Sequence, residues 1–465
     1  VERDRMSVFV GWLGRLKNFI FPQAVTQREF GVKPATGQTM ERNINLWFAM
    51  YVNRPPWAVP PVVPMGLPAA ICREIARPTL AELTVSIAGS ARADYHNEQF
   101  QAAQERFLQQ LELGLATGGI ALKPYVYGNR ILVDGTSAAA FQPTKFDASG
   151  TCVGGVFREK AQANDKYYVR LEYHNLEGTT YTIQNKAYRS DSSGSVGPAA
   201  ALNEVPDWAD IPPEVKIENL EGPLFAYFKP PQSNNVDTDD KTGVSVYGGS
   251  AVELIQRADE QWDLIRWEYK SGQRKIFMDA TETVARDFDK RLFEIAPFSK
   301  DGKFFEQFEP SFRDEPLYRG LQNILKQIEF QVGLSYGTLS DPQSVEKTAT
   351  EIRNSKQRMF ITIDSIQKAL QHTFDSLIYA MDVYATLYNL APAGGYEVTY
   401  SWGDSVLDDA DAKEKERAND RQDVSMGVMN DWEYRAKWYG EDEATAKKML
   451  PKMEDMTNEG ENEIE

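Results

Sequence analysis

Few residues in this chain have the type and spacing that chemistry requires. Three histidines, His96, His174 and His372, and two cysteines, Cys72 and Cys152, occur in 465 residues. No histidine has a second His or a Cys at metal-ligand spacing. The cysteines form no CxxC pair and read as free buried thiols of a reducing compartment. Gly118-Gly119 and Gly248-Gly249 are isolated pairs. Neither opens a phosphate-binding loop or a dinucleotide fingerprint, so both read as turns. Carboxylates are plentiful, which keeps a Glu/Asp pair for hydrolysis open as an alternative. No pair stands out, however, and solvated helix faces account for the charges more simply. The sequence therefore predicts no cofactor, no metal and no catalytic set.

Composition narrows the class. Apolar residues make up 42% and charged residues 26%, ordinary values for a soluble globular protein, while 11% aromatics favour contact surfaces as well as cores. The length suggests two to four modules. A net charge of −17 argues against a chain that binds nucleic acid electrostatically along its whole surface. Residues 401–465 hold 19 Asp/Glu against 9 Lys/Arg, a net of −10. No run of 18 apolar residues is present, so no membrane span or membrane partner is expected. Residues 8–21 are amphipathic, with Arg15 and Lys17 inside the apolar run. They read as a docking helix or N-terminal arm, with a membrane-surface helix as the alternative.

The elements follow in order. Residues 1–40 read as an extended arm and 43–51 as an apolar stretch without clear period. Pro55, Pro56, Pro60, Pro61 and Pro64 form a bridge that suits neither a helix interior nor a central strand. Helices are predicted over 67–76 and 100–114. Strands are predicted over 120–127, 130–133, 156–159, 167–174, 180–188 and 224–228.

From 250 the pattern changes. Ser250-Ala251-Val252-Glu253 spells a capping box, and Leu254, Ala258, Trp262, Ile265 and Tyr269 recur at helical spacing up to Gly272. A second helix opens at Asp314-Glu315-Pro316, carries Leu317, Leu321, Leu325, Ile328 and Val332, and stops at Gly333. Each spans roughly 30 Å at about 1.5 Å per residue. Between them lie short strands at 274–279, 292–295 and 304–308, with seven phenylalanines: Phe277, Phe288, Phe293, Phe298, Phe304, Phe305 and Phe308. So short a segment cannot bury them all alone. Burial against other protein chains is preferred over stacking on nucleic acid. A polar loop follows Gly333. A helix of about 40 residues then starts at Thr348-Ala349-Thr350-Glu351, a strand is predicted over 396–401, and acidic helices run from 408, with 454–465 disordered.

Two phrases carry a resemblance: VYGGSAVELIQRADEQWDLIRWEYKSGQRKIFMD (246–279) and VGLSYGTLSDPQSVEKTATEIRNSKQRM (332–359). Together they are similar to portal proteins of tailed phages, in particular siphophages of Gram-positive hosts. The resemblance is good over 245–450 and holds only in broad pattern over 40–245. It implies an α+β portal fold: a mixed α/β wing, a two-helix stem, a small strand-rich clip, a long wing helix and an α-helical crown. Carried over, 1–40 is an N-terminal arm and 41–249 the β-rich first part of the wing. Residues 250–272 and 314–333 are the stem helices, with Trp262, Ile265, Tyr269, Leu321, Leu325 and Ile328 on them. The clip is 273–313, its phenylalanines serving subunit contact and docking. The tunnel loop is 334–348, the long helix and second part of the wing 349–407, and the crown with its acidic tail 408–465.

The function so implied is structural. A ring, typically of twelve subunits, forms the channel for viral double-stranded DNA at one capsid vertex. Its expected partners are further copies of itself, the large terminase subunit, the head–tail connector or adaptor, and the major capsid and scaffolding proteins. The expected location is the virion, after assembly in the bacterial cytoplasm. An acidic wall suits a conduit, since it repels phosphate instead of gripping it. The residues expected along the channel are Ser340, Asp341, Gln343, Ser344, Glu346, Lys347, Arg353 and Lys356. Lys347, Arg353, Lys356 and Arg358 are candidates for sparse phosphate contacts, with an intersubunit or surface ion pair the preferred reading for each. Two other classes stay open: a carboxylate-dependent hydrolase, and a ring-forming tail or baseplate protein.

Overall fold

The structure is a computed structural model that describes residues 23–191, 195–272, 275–279, 293–296, 305–308, 311, 313–341, 349–403 and 410–450. In 23, 275–279, 293–296, 305–308, 349–355, 410–413 and 415 the description is of backbone alone. The fold is mixed α+β with several sheets, as expected. Two units separate at Trp402–Gly403.

Much of the first unit packs on one long helix. Ile363, Ile366, Leu370, Phe374, Leu377, Ile378 and Met381 are all buried. They recur at helical spacing along Ala349–Leu387, 39 residues and about 58 Å long. Each such side chain contributes roughly 1.5–3 kcal/mol by leaving water. Phe374 stacks on Phe107 at 4.9 Å and meets Phe100 edge-on at 5.3 Å.

Those two phenylalanines belong to separate helices. In chain order the helices before the long one are α1 (Gln23–Phe30), α2 (Gln38–Tyr51), α3 (Leu67–Leu80), α4 (Ala91–Gln104), α5 (Phe107–Thr117), α6 (Ala251–Ser271) and α7 (Asp314–Val332). The long helix is α8. The single helix predicted over 100–114 is thus α4 and α5, broken at Glu105-Arg106. The apolar stretch 43–51 is the body of α2. Its period becomes visible once Met40 is included, because Met40, Ile44, Trp47 and Met50 form one buried stripe. The extended arm is also corrected in part. Residues 23–30 are helical, and Glu29 accepts hydrogen bonds from Lys186 and Tyr188. Residues 1–22, including 8–21, lie outside the described residues.

Among the described residues the strands fall into four sheets. The largest runs β4 (Phe141–Phe146), β5 (Cys152–Ala163), β6 (Lys166–Glu177), β7 (Thr180–Ser190), β8 (Ala199–Ala200), with β9 (Glu214–Ile217) also on β7. A second holds β10 (Ala226–Phe228), β2 (Ile120–Tyr127) and β3 (Arg130–Ser137). Lys123 on β2 links these two sheets. Its Nζ lies 2.5 Å from the Glu172 carboxylate on β6 and 4.9 Å from the centroid of the Phe157 ring on β5. The third sheet pairs β1 (Leu83–Ala88) with β14 (Glu397–Trp402), antiparallel from Leu83↔Trp402 to Ala88↔Glu397. Segments β1 and β4 are not among the predicted strands, although Leu83, Val85 and Ile87 of β1 alternate buried with exposed neighbours; β4 lacks such alternation and carries Pro143.

The chain enters α6 from a fixed point. Gly118 adopts φ +82°, and a Cβ there would lie 2.4 Å from the Gly243 carbonyl oxygen. Nearby, Val246 N–H donates to the Leu115 carbonyl at 3.0 Å, and the Tyr247 hydroxyl donates to the Trp47 carbonyl at 2.8 Å. The 243–247 segment is therefore clamped to α5 and α2 before the helix begins.

The second unit contains α9 (Ala410–Ser425), α10 (Asp431–Tyr439) and α11 (Glu443–Lys448), as its acidic helical pattern predicts. Polar and aromatic contacts hold it. Asp420 accepts from Trp438 Nε1 at 2.8 Å, Glu441 takes Arg435 at 2.7 and 3.0 Å, and Arg417 and Arg421 both donate to the Tyr434 hydroxyl. The Glu433 carboxylate accepts the Asn430 N–H at 2.8 Å, and Gly440 ends α10 at φ +67°. Ala446 is the one buried apolar residue among those described here. Residues 454–465 lie outside the described residues.

Candidate functional site: the helical arm and the loop behind it

Helices α6 and α7 run antiparallel as a hairpin. Ser250 meets Gln331 at the base, Gln261 Nε2 donates to the Leu317 carbonyl in the middle, and Tyr269 donates to Asp314 near the tip. Ile255, Ala258 and Ile265 are buried in the seam, as are Leu321, Leu325 and Ile328. Of the residues predicted for these helices, Ile265, Leu321, Leu325 and Ile328 are therefore inside. Trp262 is 37% exposed and Tyr269 51% exposed, a correction to the predicted stripe. Burial follows Ile255, Ala258, Asp259, Ile265 and Glu268 instead.

Two of those buried positions are carboxylates, which an apolar-pattern argument cannot see. The Asp259 carboxylate accepts from Trp57 Nε1 and from the Met65 N–H, both at 2.8 Å, and so ties the Pro-rich bridge to α6. Burial raises its pKa above the ordinary aspartate range, against the pull of these donors. The Glu268 carboxylate binds Arg313 at the hairpin's tip. The predicted capping box at Ser250 is also overturned. Ser250 has helical φ/ψ, and its hydroxyl reaches Gln331 Oε1 at 3.1 Å instead of the helix's own N–H groups.

Between the helices lie three strands, as predicted: β11 (Lys275–Asp279), β12 (Phe293–Ala296) and β13 (Phe305–Phe308). The central strand is β11. It pairs parallel with β12 (Ile276↔Phe293) and antiparallel with β13 (Lys275↔Phe308). The backbones of Phe277, Phe293, Phe305 and Phe308 are thus on strands. Their side chains, and all of Phe288, Phe298 and Phe304, lie outside the described residues.

The polar loop after α7 is built on one carboxylate. Glu329 is fully buried. Its Oε1 accepts the N–H groups of Gly337, Leu339 and Ser340 at 3.1, 2.6 and 2.9 Å, and its Oε2 accepts the Ser340 hydroxyl at 2.9 Å. Two α7 turns earlier, Gln322 Oε1 accepts the Asp341 N–H at 2.7 Å. Ser340 is 4% exposed. Its predicted place facing a channel is therefore corrected, because its hydroxyl is already engaged by Glu329. Gln343, Ser344, Glu346 and Lys347 lie outside the described residues, and Arg353 is described only as backbone of α8. Lys356 is exposed. The Arg358 guanidinium lies over the rings of Phe330 (4.7 Å) and Tyr336 (5.2 Å).

Large apolar side chains remain uncovered around this hairpin. Trp262, Leu264, Trp267 and Tyr269 on α6, Tyr318 and Phe330 on α7, and Phe360 and Ile361 early in α8 are all exposed.

One motif escaped the sequence reading. Gly333-Leu334-Ser335-Tyr336-Gly337 fits the Gly-x-Ser-x-Gly spelling of a hydrolase nucleophile elbow. Such an elbow needs a strand-to-helix turn. Here the motif follows a helix, with Gly333 as its left-handed C-cap at φ +78°. The Ser335 hydroxyl lies 3.4 Å from Met359 Sδ.

The histidines are engaged elsewhere or lie on the surface. His96 Nε2 is 3.0 Å from Asp382, and His372 is exposed on α8. His174 is fully buried, with Nε2 2.7 Å from Glu172 and Nδ1 2.7 Å from the Tyr181 hydroxyl. Since the carboxylate only accepts, Nε2 carries the proton and Nδ1 accepts from Tyr181. Among the described residues no group of three or more His, Cys, Asp or Glu is placed to hold a metal ion. No helix among them is long and apolar enough to cross a membrane. No family model matches this chain, and no curated protein matches it.

Proposed function

We propose that this chain is the subunit of a portal ring, the channel through which viral double-stranded DNA is packaged and ejected. The observation that carries the reading is the order of elements among the described residues. Helix α6, a three-stranded excursion, antiparallel helix α7, a loop and the 39-residue helix α8 follow one another, as the resemblance implies for stem, clip, tunnel loop and wing helix. The exposed apolar side chains of α6, α7 and α8 support it, because neighbouring copies in a ring would cover them. On this reading the chain is not an enzyme. It works by self-assembly and by docking the terminase and then the head–tail connector through the strand-bearing tip.

Light scattering on the purified chain, with averaged electron-microscopy end views, tests this. The expected result is a closed ring of about a dozen subunits, the size such assemblies usually take. A stable monomer at micromolar concentration would overturn it. Trp267→Asp, at a position 56% exposed in the single chain, is expected to prevent ring closure while leaving the monomer's circular dichroism unchanged.

A further inference from the structure

Resting on that reading, we infer that Glu329 is a positioning residue that makes segment 334–341 move with α7 as one body. Such a loop would ordinarily be free to sample many conformations, since fixing each backbone residue costs roughly 1–2 kcal/mol of entropy. Here four donors of the loop converge on one buried carboxylate, and charge-assisted hydrogen bonds are the strong ones.

The remaining contacts point the same way. Gln322 takes the Asp341 N–H from the same helix, so Glu329 and Gln322, two α7 turns apart, hold the loop along the helix axis. At its other end the Leu334 N–H donates to the Glu329 carbonyl at 2.9 Å. Leu334 itself is fully buried. The loop also touches α8: the Arg358 guanidinium rests on Tyr336, and Ser335 contacts Met359.

The consequence is mechanical. In a channel wall made from this chain, a tilt of α7 carries residues 334–341 along with it, and the point at which the chain continues beyond Asp341 is set by the helix. A glutamine at 329 cannot do the same. It loses the charge, and its amide nitrogen replaces one of the two acceptor oxygens, so the Ser340 hydroxyl must turn from donor to acceptor and the three N–H groups are left on a neutral oxygen.

Hydrogen exchange on the full-length protein tests this, comparing wild type with Glu329→Gln and Ser340→Ala. In wild type the amides of Gly337, Leu339, Ser340 and Asp341 should exchange slowly. Glu329→Gln should speed them at least about tenfold, with Leu325 and Ile328 in α7 and Val169 and Leu171 in β6 unchanged. Ser340→Ala removes one of the four donors and should leave the other amides within about threefold of wild type. Fast exchange at 337–341 in wild type, no change in Glu329→Gln, or acceleration that spreads through α7 and β6 would each overturn the inference; the last outcome would make Glu329 a folding residue. Exchange is read on the chain whatever its oligomeric state. Failure to form rings would therefore sink the portal reading without touching this result, and the reverse also holds.

Discussion

Glu268 grips Arg313 across 45 residues of sequence by three hydrogen bonds. Its Oε1 accepts the Arg313 N–H at 3.0 Å and Nε at 3.2 Å, and its Oε2 accepts Nη2 at 2.9 Å. The contact fastens the last turn of α6 to the residue that precedes α7. The chain leaves α6 and enters α7 on either side of that clasp. The clasp sets the separation of the two chain ends from which the strand-bearing tip is built.

Glu268→Gln is therefore expected to open the hairpin from its tip. Amide exchange near Arg313 and in the last turn of α6 should rise about tenfold, while the seam at Ile255 and Ile328 keeps its protection. The Arg313 guanidinium and N–H beside Glu268 hold its carboxyl below the ordinary glutamate range. With the folded pKa depressed, the stabilisation is present above pH 4.5 and is lost as the pH falls through the folded value. Protection at the tip, taken relative to the intrinsic exchange rate at each pH, should thus fall in wild type below pH 4.5, and Glu268→Gln should lack that step. Equal acid sensitivity in both proteins would refute the clasp.

How far the sequence reveals this fold depends on what each element buries. Helix α7 is legible because Leu321, Leu325, Ile328 and Val332 face one seam at helical spacing. Helix α6 is legible in extent but not in face, because two of its inward positions are Asp259 and Glu268 and two of its tryptophans point outward. The period of α2 is hidden when the window begins at Asn43 and misses Met40. The loop after Gly333 is the sharpest case. Its polar residues look solvated in sequence, and nothing local says that a glutamate on the preceding helix gathers its N–H groups. Side chains that satisfy backbone donors at a distance carry no periodic signal.

The approach of Gly118 to Gly243 gives a second test. A methyl group at 118 would need left-handed backbone, at about 1–2 kcal/mol, and would meet the Gly243 carbonyl oxygen at 2.4 Å. Gly118→Ala should cost more than about 3 kcal/mol when the overlap is included. The loss should appear in chemical denaturation and should be accompanied by faster exchange of the Val246 amide, which bonds Leu115. A change under about 1 kcal/mol would mean that the 243–247 segment is not clamped as described.

The buried group around Glu172 gives the third. Burial opposes ionisation of Glu172, but Lys123, His174 and Arg170 outweigh it and hold the carboxyl well below its usual range. Burial also lowers the pKa of His174, against the raising effect of Glu172. Both folded values are depressed, so the folded state binds fewer protons than the unfolded chain in acid. The stabilisation is complete above pH 6.5 and is lost as the pH falls, first through His174 and then through Glu172. Lys123→Met removes the cation that joins β2 to β6 and leaves the carboxylate with Arg170, 3.2 Å away, as its remaining cationic partner. The expected cost is about 3 kcal/mol at pH 7. The gap to wild type should narrow toward pH 4, because in the variant Glu172 takes up its proton at higher pH. Thermal melts of both proteins between pH 4 and 8 measure that gap, and a gap that stays constant or widens in acid would refute the assigned charge states.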